Sequence, residues 1–145
     1  MINEKELTLA LNKSYQNYLK FGPRSTEKLK PLHEYFATLL RKIWGNSFEI
    51  RFLGSSSKEK KVDGKYYQKT IDITVIKNNK IVFCLGIKFI TSNYKQNSIN
   101  YFENMMGETA NIQSGSTIPY AHIIVLRNEI PYYKLENKKQ NKKIP

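Results

Sequence analysis

The chain is poor in the residues that build covalent staples and metal cages. A single cysteine, Cys84, among 145 residues excludes an internal disulfide framework and a cysteine-rich zinc site. Two histidines, His33 and His122, leave little for a histidine-based metal cage. No run of about 18 apolar residues occurs, so no membrane-spanning helix is expected. Residues 1–6 mix acid and base without an apolar stretch and do not read as a signal peptide. The expected compartment is the cytoplasm, with no membrane partner. Negative charge is also scarce: 12 Asp and Glu stand against 24 Lys and Arg, a net charge of +12.

The excess of positive charge predicts attraction to polyanions, whether DNA, RNA or anionic lipid. A compositional bias toward Lys, Asn and Ile is the alternative explanation. The few acids say more than the many bases. Only two aspartates occur, Asp63 and Asp72. Asp72 lies inside Lys69-Thr70-Ile71-Asp72-Ile73-Thr74-Val75-Ile76, where β-branched residues demand a strand and an aspartate is locally disfavoured. Positions that break a local rule in this way are often functional.

The length fits one domain, residues 1–145, able to bury a core unaided. Apolar positions through residues 1–20 are consistent with a helix, stopped by Phe21-Gly22-Pro23. Ser25 or Thr26 can cap the next helical segment, and Pro31 suits an early helical position. Leu32, Tyr35, Phe36, Leu39, Leu40 and Ile43 then mark an amphipathic helix over about 31–44, closed by Gly45-Asn46. Residues 48–53 alternate and read as a strand. Residues 54–61 read as a polar, basic loop. Residues 69–77 read as a second strand, Asn78-Asn79 as a hairpin turn, and residues 80–90 as a nearly all-apolar third strand covered on both faces. Residues 98–112 read as a helix and 120–126 as a buried strand. Residues 134–145 carry five lysines and no apolar period, and are expected to fray. The order helix, strand, strand, strand, helix, strand predicts an α/β (α+β) fold with a mixed sheet flanked by helices.

Alternation across the third strand puts Val82, Cys84, Gly86 and Lys88 on one face and Ile81, Phe83, Leu85, Ile87 and Phe89 on the other. Pairing through Asn78-Asn79 sets Asp72 roughly opposite Leu85, with Gly86 and Lys88 close by. A carboxylate can hold a hard divalent cation such as magnesium. A neighbouring lysine can orient an attacking water and stabilise developing negative charge. Metal-assisted attack on a phosphodiester is the reaction that such a pair on a basic chain points to. A structural Asp72–Lys88 ion pair is the plain alternative.

This order and these residues resemble the core of the PD-(D/E)xK nuclease superfamily, the fold of type II restriction endonucleases and of archaeal Holliday-junction resolvases. Ile71-Asp72-Ile73 resembles the first half of the motif. Phe83-Cys84-Leu85-Gly86-Ile87-Lys88-Phe89 resembles the second half in hydrophobicity, spacing and its lysine. The likeness extends over about residues 31–127. It implies a magnesium-dependent endonuclease acting on double-stranded DNA, working as a homodimer because two strands must be cut. It implies Asp72 as metal ligand and Lys88 as catalytic lysine. The Ile87 carbonyl and a helical glutamate, Glu34, become further candidates to hold the metal.

One departure is serious: Gly86 stands where the acid of acid-x-Lys belongs. Some restriction enzymes take that acid from the following helix, which makes Glu103 or Glu108 candidates. Otherwise the chain is an inactive derivative, or the likeness misleads. Nothing in the sequence itself demands a glycine at that point. Phosphate and DNA contacts are expected from Ser55, Ser56 and Lys58 in a polar loop, and from Lys65 and Lys69 beside Tyr66 and Tyr67, one of which should be buried. Asn93 and Lys95, in the segment after the catalytic lysine, complete the DNA-contact candidates. His33, His122 and Cys84 read as structural. A junction resolvase or repair nuclease and a non-catalytic nucleic-acid-binding module are the competing functions. The chain is short for a type II enzyme and its abrupt end reads as that of a piece lacking part of a recognition or dimer region.

Overall fold

Capping chemistry sets the boundaries of the first helical segments. The computed structural model describes residues 2–54 and 57–131. Helix α1 spans Glu4–Phe21; the Asn3 side chain accepts from the Lys5 and Glu6 N–H groups, and Gly22, at φ +85°, ends it. A single 3-10 turn, Thr26–Lys28, is capped by the Ser25 hydroxyl. Helix α2 spans Lys30–Trp44 with proline in its first turn. It buries Leu32, Phe36 and Ala37 against the sheet, while Ile43, expected on the same stripe, is exposed near the helix end.

Six strands form two sheets among the described residues. β1 (Glu49–Phe52), β4 (Ile73–Lys77), β5 (Lys80–Ile90) and β6 (Tyr120–Leu126) make a mixed sheet in the order β1-β4-β5-β6. Neighbours are antiparallel except β5 and β6, which run parallel. α3 (Tyr94–Gly115) is the crossover between that parallel pair, as parallel pairing requires. β2 (Lys60–Asp63) and β3 (Gln68–Ile71) form a separate antiparallel hairpin. One face of the large sheet packs Ile50, Phe52, Ile73, Val75, Leu85 and Ile87 against α1 and α2. The other packs Cys84 with Val62 and Ile71 of the hairpin and Ile112 of α3. The mixed sheet flanked by helices is the architecture expected from the pattern of elements. No helix among the described residues is long and apolar enough to cross a membrane.

Several details depart from the sequence expectation. The strand expected over 69–77 is two strands, β3 and β4, broken at Asp72. The polar stretch expected as a loop carries β2, because its partner β3 is freed by that break. Asn78 and Asn79 both adopt left-handed φ, 50° and 62°, as a tight hairpin turn needs. A bulge then shifts the β4–β5 register, from Ile76 opposite Ile81 to Val75 opposite Phe83. Below the bulge the alternation reverses, so Ile81 rather than Val82 packs on the α3 side. Above it Ile73 faces Leu85, which carries Asp72 to the level of Gly86 rather than Leu85. Helix α3 begins at Tyr94, before the expected start; Tyr94 stacks on Tyr101 one heptad on, with centroids 6.2 Å apart.

The hairpin is held to α3 by one buried amide. Asn111 Oδ1 accepts from the N–H groups of Tyr66 and Tyr67, and its Nδ2 donates to the Tyr67 carbonyl. Lys65 N–H donates to the Asn111 carbonyl at 2.7 Å. A side chain at Gly64 would meet the Asn111 amide at 2.1 Å, so the close approach requires glycine there. With its backbone engaged, the hairpin tip presents both tyrosines to solvent; neither is buried as one was expected to be. Replacing Asn111 with alanine removes three side-chain hydrogen bonds. It is expected to cost ~3 kcal/mol in chemical denaturation and to speed amide exchange at Tyr66 and Tyr67.

Candidate active site

Asp72 sits at the break between β3 and β4. There its Oδ2 accepts from the Ile87 N–H at 2.6 Å. The carboxylate takes the place of a backbone carbonyl in the ladder, which satisfies β5 where β4 has begun to diverge. Its Oδ1 makes no hydrogen bond among the described residues. The next residue along β5, Lys88, projects onto the face covered by α3.

Glu108 of α3 meets it there. Its Oε1 accepts from Lys88 Nζ at 3.3 Å and from Lys69 Nζ, on β3, at 2.8 Å. Its Oε2 accepts from the Tyr120 hydroxyl at 3.3 Å. The side chain is only 12% exposed. Burial by itself would raise the Glu108 pKa, but the hydrogen bond from Lys69 and the charges of Lys88 and Lys69 outweigh it and hold the carboxyl below its ordinary range. Of the two carboxylates expected from this helix, Glu108 reaches the lysine and Glu103 does not. Five residues apart on an α-helix are about 140° apart in direction, and Glu103 is exposed.

The glycine at 86 has a structural reason that the sequence did not reveal. Parallel pairing sets Cys84 beside Tyr120 and Gly86 beside His122. A Cβ at position 86 would lie 3.0 Å from both the Tyr120 hydroxyl and His122 Nδ1. The two rings, 4.3 Å apart, occupy the space that an acidic side chain would need. Tyr120 and His122 therefore belong to the site although His122 reads as structural in sequence. Only the β5–β6 register reveals them. His122 Nε2 hydrogen-bonds Thr109 Oγ1 at 2.9 Å, and its buried Nδ1 has no partner among the described residues. Burial, then the charges of Glu108 and Asp72, raise the Tyr120 pKa and keep its hydroxyl protonated. Burial lowers that of His122. Burial pushes the Cys84 thiol up to about 11, an inert group, as its apolar setting predicted.

The remaining candidates divide between this cluster and the surface around it. Glu34 is on the exposed side of α2 and lines a groove of about 670 Å³ with Glu6, Arg41, Glu49 and Arg51. A neighbour one residue away on a helix points about 100° away, and it is the preceding residue, His33, that lies within the field of Asp72. Ile87 engages Asp72 through its N–H. Lys69, expected on DNA, is turned inward to Glu108. Lys58, Lys65 and Lys95 are exposed, with Lys65 over the Tyr66 ring. Asn93 starts α3 with a left-handed φ of 54°, its N–H donating to the Pro131 carbonyl. Ser55 and Ser56 fall outside the described residues, as does the basic tail over 134–145.

No group of three or more His, Cys, Asp or Glu side chains stands together as a ready metal cage among the described residues. Magnesium needs less: one or two carboxylates, with water filling the other positions. Asp72 Oδ1, which makes no hydrogen bond among the described residues, is the oxygen of this cluster that could take up such an ion. Comparison of the chain with protein-family models, curated proteins and solved structures finds no match.

This geometry has two measurable outcomes. Glu108 has a lowered pKa when folded, so it stabilises the protein above the ordinary carboxylate value and loses that contribution as pH falls through its folded value. Denaturation of the parent and of Glu108→Gln should therefore differ most near neutrality and converge in acid. Gly86→Glu should lower the melting temperature, by ~1–3 kcal/mol of overpacking against Tyr120 and His122, rather than restore a site.

Proposed function

We propose that this protein is a magnesium-dependent DNA endonuclease of the restriction type, related to the PD-(D/E)xK nucleases, with its motif acid displaced from β5. The observation that carries the reading is Glu108 of α3 bonded to Lys88, one residue beyond the N–H that holds Asp72. Without α1 and the β2–β3 hairpin, the order α2-β1-β4-β5-α3-β6 parallels the order of that nuclease core.

Asp72 would hold the metal through Oδ1. A bound magnesium ion supplies a polarised phosphate and a more acidic water. Lys88 provides the cation beside the reacting phosphate, stabilising negative charge as it develops. Glu108, anionic and nearly buried, fixes the Lys88 ammonium in place. Tyr120 remains protonated and donates to Glu108, which holds that carboxylate's second oxygen. The hairpin and the stretch leading into it add exposed Lys58, Lys61 and Lys65 with Tyr66 and Tyr67, a basic and aromatic surface suited to a nucleic-acid backbone. A homodimer belongs to this reading. Ile99, Phe102 and Met106 form an exposed apolar stripe on α3 for the second copy.

One observation favours a second reading, a non-cleaving nucleic-acid-binding module. Glu108 is already neutralised by two lysines. Plasmid and branched DNA incubated with magnesium or manganese separate the two. The expected result is discrete plasmid fragments, reduced at least ~100-fold by Asp72→Ala or Lys88→Ala. Cutting of branched DNA alone identifies a resolvase, and binding without cutting identifies the module. An Asp72→Ala protein that cuts as well as the parent overturns the catalytic assignment.

A further inference from the structure

The backbone at the tip of the β2–β3 hairpin is tied down, yet its side chains face solvent. Tyr66 and Tyr67 are consecutive there, 72% and 51% exposed. Tyr67 makes no ring contact among the described residues, and Tyr66 meets only the Lys65 ammonium, 5.4 Å from its centroid. Beneath them the buried Asn111 amide bonds the Tyr66 N–H, the Tyr67 N–H and the Tyr67 carbonyl. The Gly64 N–H also donates to the Tyr67 carbonyl, at 3.2 Å, and closes the turn. A Cβ on Gly115, at the end of α3, would lie 2.8 Å from the Lys65 nitrogen, so the helix end abuts the tip. Rings so exposed add little to the core, and the bracing does not bury them. It fixes the direction of two flat aromatic faces, and surfaces ordered in advance lose less freedom on binding.

The surroundings select the partner. Lys58, Lys61 and Lys65 are exposed along the hairpin and its approach. The exposed acid among them, Asp63, accepts a hydrogen bond from Gln68 Nε2 at 2.6 Å. Aromatic faces beside cations suit nucleobases on a phosphate chain, whatever the base. Inside a duplex each base is already stacked on its neighbours. A side chain reaches its face only where the step is opened or the base is unpaired. β3 leads from this tip towards Asp72. The extended chain from Tyr67 to Asp72 covers ~16 Å, the span of about five nucleotides.

We propose that Tyr66 and Tyr67 stack on nucleobases taken out of the duplex, so that the protein prefers DNA with unpaired or mismatched bases to a continuous duplex. The inference rests on the proposed action on DNA and adds a substrate class to it: duplex opened about five nucleotides from the Asp72 site. In a paired duplex the rings must open a step before they enter. A bulge or mismatch lowers that cost.

Two labelled duplexes of one sequence test this, one fully paired and one carrying a small bulge. Each is titrated with the full chain in EDTA, and binding is followed by fluorescence anisotropy without magnesium-dependent cutting. The bulged duplex should bind at least ~5-fold more tightly, the lower end of what one base-stacking ring contributes. Replacing both tyrosines, Tyr66→Ala with Tyr67→Ala, should abolish the preference without lowering the melting temperature. Tyr66→Phe with Tyr67→Phe should keep it, because stacking needs the ring and not the hydroxyl. 2-Aminopurine placed in the bulge should be quenched by the parent and the phenylalanine pair, and not by the alanine pair. Lys58→Ala, at a phosphate contact, should weaken both duplexes alike. A parent that binds neither duplex or both equally, or an alanine pair that keeps the preference, overturns the inference. Preference for the bulge without cutting in magnesium or manganese keeps the stacking tip and removes the nuclease reading. Cutting without any preference keeps the nuclease and removes the tip's role.

Discussion

The hydrogen bond from the Ile87 N–H to the Asp72 carboxylate is the joint on which the molecule turns. A strand passing from β3 into β4 would continue its ladder along β5; at Asp72 the side chain takes over from the backbone. β5 stays satisfied while the chain behind Asp72 swings away to pair with β2. The same bond fixes the carboxylate one residue from Lys88. A charge-assisted bond of this length is among the stronger single contacts available to a carboxylate, and it joins the two sheets at the place where the chemistry is proposed.

Helix α3 converts that joint into a site. One stretch of a single face carries Glu108, Asn111 and Ile112, at spacings of three and four residues. Glu108 gathers Lys69 and Lys88, Asn111 clasps the hairpin backbone, and Ile112 packs among Val62, Ile71 and Cys84. The apolar contact provides the burial that makes the two polar ones selective. In that low-dielectric setting a carboxylate must be paired and an amide must be satisfied. Both conditions are met from the β3 side, so hairpin, helix and sheet share one set of contacts.

The glycine at 86 is, in this setting, an accommodation and not a gap. β6 runs parallel to β5 and brings Tyr120 and His122 against it, filling the volume that a motif acid would take. The net charge of +12 takes on a sharper meaning as well. Part of it lies inside, where Lys69 and Lys88 neutralise Glu108. The exposed hairpin lysines and tyrosines form the outward surface.

The local sequence was enough to place most elements. Asn3, Ser25 and Gly22 cap or stop helices by their own backbone and side-chain chemistry, and apolar periodicity marks the bounds of α2, β5 and β6, although β6, expected to be buried, is an edge strand with Ile124 and Leu126 exposed. It also singled out Asp72, because a charged residue in a β-branched run breaks a local rule, and Lys88, as the lysine at the end of the neighbouring apolar strand. It could not choose between Glu103 and Glu108, since both lie on one helix and only docking decides which side faces the sheet. Nor could it place the bulge after Val75, the β2–β3 pairing, or Tyr120 and His122 around Gly86. Those depend on register between segments distant in the chain. A one-residue shift there exchanges the two faces of a strand, and its cost is set by packing across the sheet rather than by the residues of either strand alone.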